Sequence, residues 1–114
     1  MDADAQARAH AVFDPIVQRL LASRDDVDLG PMFGVEGVRV RGKVFAGVGY
    51  ESALMLKLPR ERVDELEASG AARRVVMRER PMKEWAFVGM AEASQWDSLM
   101  REALAFVDAI TPRG

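Results

Sequence analysis

Apolar and polar positions alternate along the chain with two different periods. Ala9, Val12, Phe13, Ile16, Val17, Leu20 and Leu21 recur at helical spacing and predict one apolar stripe along a first helix. Asp2 or Asp4 can cap it, because a short side-chain oxygen accepts an orphan N–H there. Pro15 removes one backbone donor and crowds the preceding turn, but the stripe keeps phase across it, so one kinked helix is expected. Residues 23–31, SRDDVDLGP, are polar and close on Gly-Pro, which reads as a connector.

The period then changes. Residues 32–58, MFGVEGVRVRGKVFAGVGYESALMLKL, predict a three-strand antiparallel meander. Its strands centre on residues 38–41, on KVFAGVGY after Gly42, and on ALMLKL after a turn at Glu51 and Ser52. Pro59 suits the first position of a short helix with Val63 and Leu66 inward, and Gly70 suits its end. Two further strands follow, RRVVMRE and EWAFVGM, separated by residues 80–83. Ser94-Gln95-Trp96-Asp97 resembles a capping box opening a last helix, with a stripe of Trp96, Leu99, Met100, Ala103, Leu104, Val107 and Ile110. The order α-β-β-β-α-β-β-α predicts an α+β fold, a two-layer sandwich with a five-stranded antiparallel sheet, in one domain over residues 1–114.

Two strands depart from simple alternation. In the second, Val44, Ala46, Val48 and Tyr50 alternate with Phe45, Gly47 and Gly49, and in the last, Trp85 and Phe87 alternate with Ala86, Val88 and Met90. A sheet with one wet face should carry polar residues on that face, so both faces are expected to be covered. A second copy of the chain is the expected cover, giving a homodimer through the sheet. The competing cover is residues 23–31 and 79–84 of the same chain. Gly47-Val48-Gly49 has no third glycine and no following helix; small residues there let a side chain or backbone approach closely.

Composition changes this picture little. At 114 residues the chain can bury one core unaided, and it contains no cysteine, which excludes disulfides and thiolate chemistry. No apolar run is long enough for a membrane span, and the N-terminus MDADAQARAH is acidic where a signal peptide is basic, so a cytoplasmic protein without membrane association is expected. Charge is unevenly placed: residues 37–83 hold 11 Lys/Arg and 6 Asp/Glu, while the net charge of the whole is −2. Attraction between strand and helix charges explains this without a nucleic-acid partner, which would favour interleaved exposed aromatics.

Several short motifs in order resemble the N-terminal domain of the TfoX/Sxy family. They are Met32-Phe33-Gly34 with Gly37, Gly42-Lys43-Val44-Phe45-Ala46, Leu56-Lys57-Leu58-Pro59, and Pro81-Met82-Lys83 ahead of an aromatic, here Trp85. The resemblance covers the chain from about Met32 to the last helix. It implies a cytoplasmic bacterial protein without enzymatic activity, acting by protein–protein interaction, in some members as a regulator of natural-transformation genes beside a transcription factor. Longer members carry a second helical domain, so a stand-alone short member with a transcription-machinery partner is expected.

No catalytic constellation emerges. His10 is the only histidine and has Asp14 four residues on, the spacing of a solvated helix pair, with no nucleophile motif in the sequence. No metal site or cofactor is expected, since no second histidine exists and Asp25-Asp26-Val27-Asp28 lacks the rest of a calcium loop. Met32, Phe33, Lys43, Lys57, Met82, Lys83 and Trp85 are the candidate ligand- or partner-binding residues, the lysines being able to converge on an anionic ligand or acidic partner.

Overall fold

A computed structural model describes residues 2–112. The elements are α1 (Ala3–Ser23), β1 (Val27–Met32), β2 (Val35–Val40), β3 (Lys43–Val48), β4 (Leu54–Lys57), α2 (Arg60–Ser69), β5 (Arg73–Met77), β6 (Arg80–Val88), a 3-10 segment (Met90–Gln95) and α3 (Trp96–Ile110). All strands pair antiparallel in one open sheet, ordered β1-β2-β3-β4-β6-β5. The α+β class holds, with six strands instead of five. The connector expected at residues 23–31 is largely strand β1.

Helix α1 begins where Asp2 Oδ1 accepts from the amides of Asp4 and Ala5, at 2.9 and 3.2 Å. It runs as a single helix through Pro15. Pro15 and Ala11 are both exposed, so water can satisfy the carbonyl that Pro15 cannot serve. Ala9, Phe13, Ile16, Val17 and Leu20 are buried against one face of the sheet. Helix α3 buries Trp96, Leu99, Met100, Ala103, Leu104 and Val107 on the same face, while Ile110 stays exposed. The expected capping box does not form. Ser94 lies in the 3-10 segment, no side chain caps α3, and Asp97 is held by Arg19 and Arg101.

The register of β3 contains an extra residue. Val38 pairs with Ala46 and Arg39 with Val44, leaving Phe45 unpaired in a bulge. Phe45 and Ala46 therefore both join the helix-side core, while Val44 packs on the opposite face. Both-sided burial in β3 thus arises in part from a change of face at the bulge.

Four charged residues tie the ends of the elements together. The Arg41 guanidinium lies 2.8 Å from Asp26 and 2.8 Å from Asp108, and it donates to the carbonyls of Asp108 and Thr111, each at 3.0 Å. Arg24 closes the group with hydrogen bonds to Asp26 at 2.9 and 2.8 Å. The hydrogen bond from Arg24 and then that from Arg41 hold the Asp26 carboxyl far below the usual carboxylate range. Arg41 also neutralises the C-terminal end of α3, where orphan carbonyls concentrate negative potential. Arg41 is thus a clasp between the α1–β1 turn, the β2–β3 turn and α3.

Candidate functional site

The helix-free face of the sheet carries its own apolar cluster: Met32, Met55, Val75 and Trp85, with Val35, Val44, Met77, Met82 and Phe87 packed around them. On a flat sheet β2 and β6 would stand three strand spacings apart, roughly 14 Å. Yet the Phe33 ring at the β1–β2 turn meets the Trp85 ring edge-on, with centroids 5.1 Å apart. The sheet must curl for this contact, and the β1–β2 hairpin tip lies over β6.

Glycines make the curl possible. Gly37 and Gly47 pair across β2 and β3, and Met32 lies over both. A Cβ at Gly37 would come within 2.8 Å of Met32 Cβ, and one at Gly47 within 2.5 Å of Met32 Cε. The small residues of β3 thus admit a large side chain, as expected. The turn residues Phe33 and Gly34 both have positive φ, 45° and 83°. Tyr50 fixes this turn by donating its hydroxyl to the Gly34 carbonyl at 2.7 Å.

The second hairpin covers the other end of the face. Arg74 pairs with Ala86 but Val75 pairs with Met82, so Lys83, Glu84 and Trp85 form a three-residue excursion in β6. The outer half of this hairpin brings Val75, Met77 and Met82 onto the cluster. Its turn is Arg78-Glu79, both at positive φ, and residues 80–83, expected to separate the two strands, belong to β6. The chain's own hairpins thus supply much of the cover expected from a second copy. They leave an apolar slot of about 210 Å³ between them, bordered by Phe33, Tyr50, Met55, Val76 and Phe87.

Trp85 borders two wider grooves. The first, about 640 Å³, is lined by Pro59, Arg60, Glu61, Pro81, Met82, Lys83, Glu84, Trp85 and Phe106. The second, about 260 Å³, includes Lys43, Val44, Lys57, Trp85 and Ile110. Trp85 is the residue common to the apolar cluster and both grooves, and the other six residues proposed from sequence are divided among them. Met32, Phe33, Met82 and Trp85 share the apolar cluster or touch it, and the three lysines line the two grooves. The lysines do not converge: Lys43 and Lys57 flank one groove and Lys83 the other. Lys57 lies 3.8 Å from Glu84. Arg60 and Phe106 were not singled out from the sequence, because their spacing to Trp85 follows only from α2 and α3 docking beside β6.

Most cations have structural partners. Arg39 makes a two-pronged contact with Asp28 at 2.9 and 2.7 Å, which lowers the Asp28 pKa. Arg74 bridges Asp64 and Glu67 on α2. Arg73 pairs with Glu51 and lies 4.6 Å above the Phe87 ring. Among the described residues, the cations without an ion pair are Arg8 on α1 and Lys43, Arg60, Arg78, Arg80 and Lys83.

His10 and Asp14 are 3.0 Å apart on the exposed side of α1, beside a cleft that also includes Gln6, Gln18 and Glu36. Gln6 donates to the Gly49 carbonyl at 3.1 Å. No hydroxyl or thiol side chain lines that cleft. Among the described residues no group of three or more His, Cys, Asp or Glu is placed to hold a metal ion, and no helix is long and apolar enough to cross a membrane. No protein-family model, curated protein or solved structure matches the chain.

Proposed function

We propose that this chain is a non-enzymatic regulatory module that binds another protein through the Trp85 face, in the manner implied by its resemblance to the TfoX N-terminal domain. The observation that carries this reading is the second apolar cluster on the helix-free face, half-closed by two hairpins and bordered by open grooves. Phe33 remains 40% exposed and Val76 60% exposed beside a packed floor, a combination suited to contact with a partner. A cytoplasmic setting and a partner from the transcription machinery belong to the same proposal.

The test is capture from an extract of the native host with the wild-type chain and with Phe33→Ala and Trp85→Ala, each checked for folding by its thermal transition. Enrichment of a transcription factor or polymerase subunit, lost in a folded variant, is the expected result. Capture that is indifferent to both substitutions would place the contact elsewhere and overturn the proposal.

The unpaired cations favour a second reading, binding of a nucleic acid or small anion. Such binding rests on counterion release and weakens steeply with salt. Titration of duplex and single strand at low salt and at about 150 mM, near physiological screening, separates it from the first reading. Sequence-dependent binding that survives the higher salt would favour the nucleic acid. Self-association through the exposed Phe33, Tyr50 and Val76 is a competing occupant of the same face, and the mass of the chain in solution decides between the two.

A further inference from the structure

We propose that the groove floored by Trp85 and Met82 takes an acidic segment of a partner protein carrying an apolar anchor residue. This rests on the interaction-module reading and specifies the partner's chemistry.

Most of the described cations are already satisfied within the fold. Arg24, Arg39, Arg41, Arg62 and Arg74 each face a carboxylate of a neighbouring element and hold the fold together. Of the six described cations left without an ion pair, five lie at one end of the molecule. Arg60 and Lys83 line the larger groove, Lys43 lines the smaller one, and Arg78 and Arg80 sit at the tip of the β5–β6 hairpin whose Pro81 and Met82 form a groove wall. The unpaired acids there are Glu61 in the groove and Glu79 at the hairpin turn; Glu84 faces Lys57. Five free cations against two free acids leave a local excess of three positive charges on a chain whose net charge is −2. Random placement of surface charge does not require this segregation, and an anionic partner would exploit it.

The groove floor decides between classes of anion. Pro59, Met82, Trp85 and Phe106 give it apolar walls. Trp85 is only 7% exposed and has the Phe33 ring edge-on against it, so it offers no open aromatic plane for a base to stack on. Arg60 and Lys83 stand among the apolar side chains of this groove, and Lys43 stands in the neighbouring one. A peptide that sets one apolar side chain over Trp85 and Met82, with carboxylates beside Arg60 and Lys83, satisfies both features.

The test uses the intact chain and labelled synthetic peptides, read by fluorescence anisotropy. One peptide carries several Asp/Glu around a Leu or Phe anchor. A second has its acids replaced by Asn and Gln, a third has the anchor replaced by Ser, and a single-stranded oligonucleotide matches the first in net charge. The acidic anchored peptide should bind at low salt, and removal of either its charge or its anchor should weaken binding about tenfold. The double charge reversal Arg60→Glu/Lys83→Glu, at exposed positions, should do the same, while Arg8→Glu on α1 should leave affinity unchanged. Equal binding of the neutral peptide, tighter binding of the oligonucleotide, no binding at all, or a doubled mass showing that a second copy fills the groove would each overturn the proposal. If a native partner is captured in a Phe33-dependent way yet ignores the charge reversal, the interaction module stands and only the acidic-segment proposal fails.

Discussion

The two faces of the sheet bury apolar side chains by different means. On one face, helices α1 and α3 close over Phe45, Leu54, Leu56 and Val88, all at 3% exposure or less, and their charged ends are fastened by Arg24 and Arg41. On the other, Met55, Val75 and Trp85 are nearly as buried, but the cover consists of two hairpins whose own residues Phe33 and Val76 remain in contact with water. Hydrophobic burial follows area removed from water, so both faces contribute to stability. The difference lies in what can move. A helix layer anchored through several ion pairs has no low-cost opening, whereas a hairpin tip can lift by local fluctuation. The face covered by hairpins is therefore the one suited to meeting a partner.

Truncations should expose this difference. Phe45→Ala removes a fully buried ring from the helix side and should cost about 4 kcal/mol, while Phe33→Ala at the hairpin tip should cost only about 1 kcal/mol. Equal losses in chemical denaturation would mean that the hairpin face is an ordinary core. Arg41→Ala would leave the Asp26 and Asp108 carboxylates short of a partner and should cost about 2 to 3 kcal/mol, against no more than about 0.5 kcal/mol for Lys83→Ala. That contrast separates structural cations from free ones.

Gly37→Ala should cost about 2 kcal/mol and shift Trp85 emission toward that of a wetter indole, because the new methyl group meets Met32 Cβ and the Ala46 carbonyl and must lift the hairpin. Unchanged emission with lost stability would show strain without opening. Glu79→Gly should act in the opposite sense. Glu79 has φ of 64°, a conformation that disfavours a side chain, so glycine should stabilise by about 1 kcal/mol in the same denaturation assay.

The sequence revealed the helices and the inner strands because their stripes are long and in phase. It concealed β1, where Val27, Leu29 and Met32 stand among Asp28, Gly30 and Pro31. An edge strand tolerates such residues, since half of its backbone groups need no ladder partner. Residues 80–83 were hidden in the same way by Pro81, and their turn by Arg78-Glu79, which lacks the glycine or asparagine that usually marks positive φ. Lys43, Lys57, Met82, Lys83 and Trp85 were legible as lysines within apolar strands or beside Met82 and Trp85, whereas Met32 and Phe33 entered only through the motif resemblance. What no pattern could supply was the curl that brings residue 33 against residue 85, or the pairing that removes Arg39, Arg41 and Arg74 from the basic surface. Those are consequences of a bulge and of long-range docking, and neither leaves a local signature.

We propose that the Trp85 face, half-closed by its own hairpins, meets a different protein in preference to a second copy of the chain. Light scattering on the purified chain at micromolar concentration tests this most directly. The account predicts a mass near 12.6 kDa, unchanged by Phe33→Ala. A mass of twice that value, falling to the monomer's in Phe33→Ala, would contradict it.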